Sequence, residues 1–322
     1  ELARASITLA STLRAAGDAD AAIDVLRRFI GTGADLPDQL EAMVEQAMCH
    51  VSLDQHSQVL ELTQRGIHLV DDQQEVPLQL LAARARLQGH RAWSLAYLEQ
   101  YDEAHQTFAR ALADARAAAD PAAEISILNG WVVLALRQAD FSRASQLYAQ
   151  ALDCAQTSGD IEREAVTRFN IGIYDLWRGE YGPCLDQLTE GLKLLQAMGT
   201  QQHVVRALCS LGQLQFKLCL IEQARSTLQR ARRASMRLGI RISSAAATAL
   251  LGLVHAHHGD LVQARAHLAE AQAVYRELGL GRDSADVSLD LAQAELDAGQ
   301  GERAGAALAQ AAGEVDLGQV QD

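Results

Sequence analysis

An interval of 40 residues runs through most of this chain. Ala104, Ala144, Cys184, Ala224, Ala264 and Ala304 stand 40 apart, and every one is small. Four residues after each comes a large apolar side chain: Phe108, Tyr148, Leu188, Leu228, Leu268, Leu308. Seven after comes another small one: Ala111, Ala151, Gly191, Ala231, Ala271, Ala311. Three before stand Tyr101, Phe141, Tyr181, Ile221 and Leu261, with Gly301 as the exception. Self-similarity at such a period marks a solenoid, in which each unit buries its apolar face only against its neighbours. A solenoid presents an extended surface, and its repeat pattern does not name what binds there.

Each unit reads as two helices. Ile161, Ala165, Phe169, Ile173 and Leu176 carry helical spacing up to Arg178, and Gly179-Glu180 breaks it. Leu185, Leu188, Leu192 and Leu195 then mark a second helix from Tyr181 to Met198. Gly159, Gly199, Gly239 and Gly279 keep the 40-residue step, each where a second helix should end with a residue of positive φ. Pro37, Pro77, Pro121 and Pro183 fall where helices should start, positions at which a missing N–H costs nothing. Glycine recurs inside the first helix at Gly172, Gly212 and Gly252, with Ala92, Val132 and Ala292 at equivalent places. Mid-helix glycine costs about 1 kcal/mol against alanine, so recurrence at one phase needs a packing reason.

This pattern resembles the tetratricopeptide repeat. The match runs through Gly172, Tyr181, Cys184, Leu188 and Gly191, or Gly252, Leu261, Ala264, Leu268 and Ala271. The period departs from the family's usual 34, and is similar to that of bacterial regulator sensor domains and cell-polarity scaffolds. The resemblance implies an all-α, right-handed α-solenoid of about eight helix-turn-helix repeats. Residues 1–80 read as two irregular repeats, with Ala10, Gly17, Ala22, Leu26 and Phe29 in one and Ala47, Val59, Thr63 and Gly66 in the other. Residues 81–313 read as six regular repeats, and 314–322 as a short tail that caps the last one poorly. With Glu1 entering a helical pattern at once, this predicts one continuous solenoid cut from a longer protein.

Composition removes several functions. A net charge of −13 argues against a nucleic-acid surface. No run of 18 apolar residues predicts a membrane span, and no signal peptide is present, so a cytoplasmic protein is expected. Cys49, Cys154, Cys184, Cys209 and Cys219 read as small buried residues on helical faces. No phosphate-binding loop, zinc-protease or nucleophile-elbow motif appears. Neither an enzyme, a cofactor nor a metal is expected. His255, His257 and His258 read as packing and helix-end residues rather than ligands. The run Arg225, Arg230, Arg232, Arg233, Arg237, Arg241 reads as an outer surface, with an acidic partner as the alternative.

In the family, groove-facing residues recur at fixed phases of the first helix. Carried onto this chain, they select Arg86, Trp93, Tyr97, Asn129, Val133 and Arg137, and then Phe169, Ile173, Trp177, Arg206, Gln213 and Lys217, with Asn170 alongside. Aromatic residues beside unopposed cations have the composition of a binding hot spot. The family's clamp for a C-terminal carboxylate is absent, since its places hold Gly89, Trp93, Asn129, Val133, Phe169 and Ile173. The expected function is recognition of a protein or peptide segment, acidic with apolar anchors, by the docking or sensing arm of a regulatory protein. Two alternatives stay open. One is a small-molecule sensor, which a likeness to the maltose-responsive bacterial activators implies. The other is a scaffold that self-associates end to end through faces carrying Leu2, Leu9, Leu291, Leu296 and Leu308.

Overall fold

A computed structural model describes residues 2–15, 18–30, 34–199 and 201–319. Among these there are sixteen α-helices and no strand. The chain forms two compact units, Glu1–Arg163 and Glu164–Asp322.

In the first unit the pairs are α1 (Leu2–Ala15) with α2 (Ala19–Ile30), α3 (Leu36–Ser52) with α4 (His56–Asp71), α5 (Leu78–Tyr97) with α6 (Tyr101–Ala117), and α7 (Pro121–Arg137) with α8 (Phe141–Ser158). The first helices α1, α3, α5 and α7 pack side by side in that order and form one row. The second unit is built the same way. It contains most of α9 (Ile161–Arg178), then α10 (Tyr181–Met198), α11 (Gln201–Lys217), α12 (Ile221–Leu238), α13 (Arg241–His257), α14 (Leu261–Glu277), α15 (Gly281–Asp297) and α16 (Gly301–Gln319). Here α11, α13 and α15 lie side by side.

The 40-residue pattern is the packing code. Ala104, Ala144, Cys184, Ala224, Ala264 and Ala304 are all at most 1% exposed. The mid-helix glycines have the packing reason that their recurrence demands. A Cβ on Gly172 would lie 2.7 Å from the Leu188 side chain, and one on Gly212 would lie 2.6 Å from Leu228. The leucine of the second helix occupies the space that a methyl group would need. Turn chemistry also follows the sequence. Gly159, Gly199, Gly239 and Gly279 have φ of 69°, 72°, 69° and 72°. Pro37 and Pro121 stand in the first turns of α3 and α7, whose caps Asp35 and Asp120 each accept a backbone N–H three residues on.

Three expectations change. Cys219 is exposed and lies off any helix, in the turn after α11 with φ 59°, where three other repeats place glycine, at Gly179, Gly259 and Gly299. Only Cys49 and Cys184 are fully buried. The segment from 314 is no separate tail as far as Gln319, because α16 continues through it without a break. Its Glu314 is buried, paired with Arg276 of α14 at 2.5 Å and accepting from Ser288 of α15 at 3.2 Å. Leu9, Leu296 and Leu308 are about half exposed, whereas Gly17, Val320 and the side chain of Leu2 lie outside the described residues.

Candidate functional site

In the first unit, all six predicted residues come from α5 and α7, neighbours in the row of first helices. The best-built feature is centred on Tyr97, at the last residue of α5. Its ring stacks on His56, with centroids 4.0 Å apart. The Arg137 guanidinium lies 5.1 Å from its centroid, within cation–π range. His56 is buried, and its Nδ1 lies 3.2 Å from the buried Ser94 hydroxyl. Burial pulls the His56 imidazole below its ordinary pKa, against the opposing pull of Asp54. Tyr97 itself stays 42% exposed, so a fixed aromatic ring is offered to solvent. Trp93 is half-buried one turn back, and Val133 is exposed on α7. The Asn129 carbonyl oxygen is buried with no hydrogen-bond partner among the described residues.

Arg86 behaves differently from its prediction as an unopposed cation. It grips Glu41 of α3 through two hydrogen bonds of 2.9 and 2.5 Å, and Asp120 lies 3.9 Å away. It is a strut between first helices. The residue that sequence reasoning missed is His56. Its signal was available: it opens the second helix α4, the slot that Tyr101, Phe141 and Tyr181 fill in later repeats.

In the second unit the predicted residues come from α9 and α11. Phe169 is buried in the core, and the exposed Arg206 guanidinium lies 5.3 Å from its ring centroid. Asn170, Ile173 and Gln213 are half-buried, and Lys217 is exposed. Trp177 is 75% exposed, the most exposed large apolar side chain among the described residues. Farther along the row, Asp290 of α15 is half-buried near Asp286. Burial pushes its carboxyl up to about 6, Asp286 adds to the effect, and Lys217 opposes it.

His255 is half-buried 3.6 Å from Asp260, with the His267 ring 5.0 Å away. Asp260 is already engaged as the cap of α14. No helix among the described residues is long and apolar enough to cross a membrane.

No protein-family model matches the chain, and no curated protein matches it. Solved structures do. A signal-transduction ATPase of the STAND class with a tetratricopeptide repeat sensor, from Pyrococcus horikoshii, superposes with a TM-score of 0.69 at 16% identity over 93% of this chain. This chain spans 46% of that protein's length. The apo quorum sensor NprR from B. thuringiensis gives 0.68 at 16% identity, covering 98% of this chain and 87% of that one. A Rap conjugation gene regulator of the plasmid pLS20, solved in complex with the Phr* peptide, gives 0.61 at 11% identity, covering 88% and 76%. With the paired helices, the seam of small residues and the turn glycines, these likenesses show that the chain has the fold of a tetratricopeptide-type α-solenoid.

Proposed function

We propose that this chain is a non-enzymatic recognition module that holds a peptide or protein segment against its rows of first helices, as the sensing or docking arm of a regulatory protein. The observation that carries this reading is Trp177. A tryptophan 75% exposed, on a row that also offers the unpaired cations Arg206 and Lys217, lacks the burial that would explain it as core. The Tyr97 ring fixed between His56 and Arg137 is a second anchor of the same kind. The peptide complex of the pLS20 Rap regulator and the likeness to the quorum sensor NprR support the same class of ligand. Cations beside aromatic rings favour a partner with acidic residues around apolar anchors.

The test starts from a display library of random heptapeptides, selected on the whole chain. Selected sequences should be enriched in Asp or Glu next to a large apolar residue. Trp177→Ala should weaken their binding by about 2 kcal/mol, as truncation of a hot spot does. Arg137→Ala and Arg206→Ala should act mainly on association rate and salt dependence. Selected peptides that bind all three variants like the parent would overturn the assignment. The orphan Asn129 oxygen supports a second reading, a small polar molecule held beside Trp93. Its affinity would then be indifferent to salt.

A further inference from the structure

In the second unit an open depression of about 670 Å3 lies between the start of α11 and the end of α12. Its lining is mostly apolar, with Val204, Leu208, Ala234 and Met236, and its rim carries Arg230, Arg233 and Arg237. Met236 is 63% exposed. The three arginines stand at i, i+3 and i+7, so they share one face of α12 along about 10 Å of helix.

The neighbouring arginines of the same run are neutralised. Arg225 pairs with Glu222, Arg232 with Glu270 at 2.7 Å, and Arg241 with Glu277. Among the described residues, no carboxylate lies within 4.0 Å of Arg230, Arg233 or Arg237. Arg233 donates only to the Gln229 carbonyl of its own helix.

The repeat supplies an internal control. Two repeats earlier, the same positions hold Gln150, Asp153 and Thr157, and Glu124 stands where Val204 does. They also line a depression, in which Arg116 is paired with Glu124 at 2.7 Å. One repeat earlier the three places hold Glu190, Lys193 and Ala197, and one repeat later Glu270, Ala273 and Glu277. Packing therefore does not demand arginine at any of the three. In a chain of net charge −13, three guanidinium groups with no carboxylate beside them among the described residues, over an apolar floor, make a local positive patch that attracts an acidic partner.

We propose that this depression is a second docking site, for an acidic amphipathic helix of a protein partner. That helix would set carboxylates one per turn against Arg230, Arg233 and Arg237, and an apolar side chain on Val204, Leu208 and Met236. A nucleic acid fits less well. Its phosphates would meet Glu190, Glu270 and Glu277 on either side, and it would leave the apolar floor uncovered.

The probe is a fluorescein-labelled 15-residue helical peptide with Glu at i, i+3 and i+7 and Leu between them. A control peptide has the same composition with its Glu residues spread around the helix. Fluorescence anisotropy with the whole chain should show binding that weakens as salt rises, at least tenfold tighter than for the control. The triple variant R230Q/R233D/R237T carries the residues the chain itself uses at 150, 153 and 157, and should lose at least tenfold. Met236→Glu, a single exposed change, should lose at least fivefold. Arg225→Gln and Trp177→Ala should each change affinity less than twofold, which separates this site from the one around Trp177. Unchanged binding in the triple variant or equal binding of the control peptide would overturn the proposal. So would binding of a 20-base-pair DNA duplex or phosphatidylserine vesicles in place of the peptide.

Discussion

The helices α5 and α11 occupy the same place in their repeats, yet they treat positive charge in opposite ways. Every arginine of α5 after its first turn ends on a carboxylate: Arg84 on Asp114 and Asp71, Arg86 on Glu41, Arg91 on Glu103. On α11, Arg206 lies over the Phe169 ring, and neither it nor Lys217 has a carboxylate within 4.0 Å among the described residues. Packing differs in step with charge. The second unit sets glycine against leucine at Gly172, Gly212 and Gly252. The first unit has Ala92 and Val132 at those places, and the aromatic Phe108 and Tyr148 where the leucines stand. One backbone pattern thus accepts two interior solutions. On α5 the arginines act as struts between helices, while α11 keeps its cations clear of carboxylates among the described residues.

The largest test of this contrast is removal of a strut. Arg84 donates to both oxygens of Asp114, at 2.8 and 2.9 Å, and Asp114 is 15% exposed. Hydrogen bonding to Asp114 is the first cause that raises the Arg84 guanidinium above its ordinary pKa. Arg84→Met leaves that carboxylate partly buried and uncompensated, and should cost about 2–3 kcal/mol in urea unfolding. Arg206→Met should stay within about 0.5 kcal/mol. Equal losses would mean that Arg206 is as structural as Arg84.

The glycine–leucine pairing gives a second test, from substitutions of opposite sense. Gly212→Ala gains helix propensity but places its Cβ 2.6 Å from Leu228, a side chain 0% exposed with no room to retreat. It should destabilise by about 1–2 kcal/mol, and Leu228→Ala in the same chain should relieve the clash, giving a coupling of at least about 1 kcal/mol. At the equivalent place in the first unit the reverse change, Ala92→Gly, should destabilise by at least about 1 kcal/mol, through lost propensity together with a lost buried methyl group. Stabilisation by Gly212→Ala would show that the interior has slack where the structure has none.

Much of this fold was legible because helix pairing is local. Period, small residues and turn glycines each act within about 40 residues, so one sequence shows the small residues six times and the glycines that end second helices four times. That is why α9 and α10 fall on the residues their spacing predicts, Ile161–Arg178 and Tyr181–Met198. What stayed hidden is which charges meet. Arg86 and Glu41 are 45 residues apart, in helices whose register the irregular early repeats obscure, so Arg86 read as a free cation. Cys219 read as core because its phase is helical, but the helix stops at Lys217. The depression on α12 was visible only as a run of arginines. Nothing in the run tells Arg232, paired with Glu270, from Arg230, which no carboxylate meets.

The smallest expected effect sets the two units against each other in pH. In the first unit, burial first and then Arg86 and Arg14 push the His90 imidazole down to about 4. A depressed histidine favours its neutral form in the fold. Its contribution to stability is therefore present above pH 6.5 and is lost as pH falls towards 4. In the second unit, burial first and then Asp286 push the Asp290 carboxyl up to about 6. A raised carboxyl favours its protonated form in the fold. Its contribution is full below about pH 4 and is lost as pH rises through 6. Acidification should therefore loosen the first unit and tighten the second. Asp290→Asn removes the cost of ionising a half-buried group. It should stabilise by about 1 kcal/mol at pH 7.5, after allowance for partial solvation, and by nothing measurable at pH 4. Amide exchange followed by mass spectrometry at both pH values can read the two units separately. Asp290→Asn that destabilises at pH 7.5 would mean that the ionised carboxylate is held by Lys217, and that the charge on α11 is opposed after all.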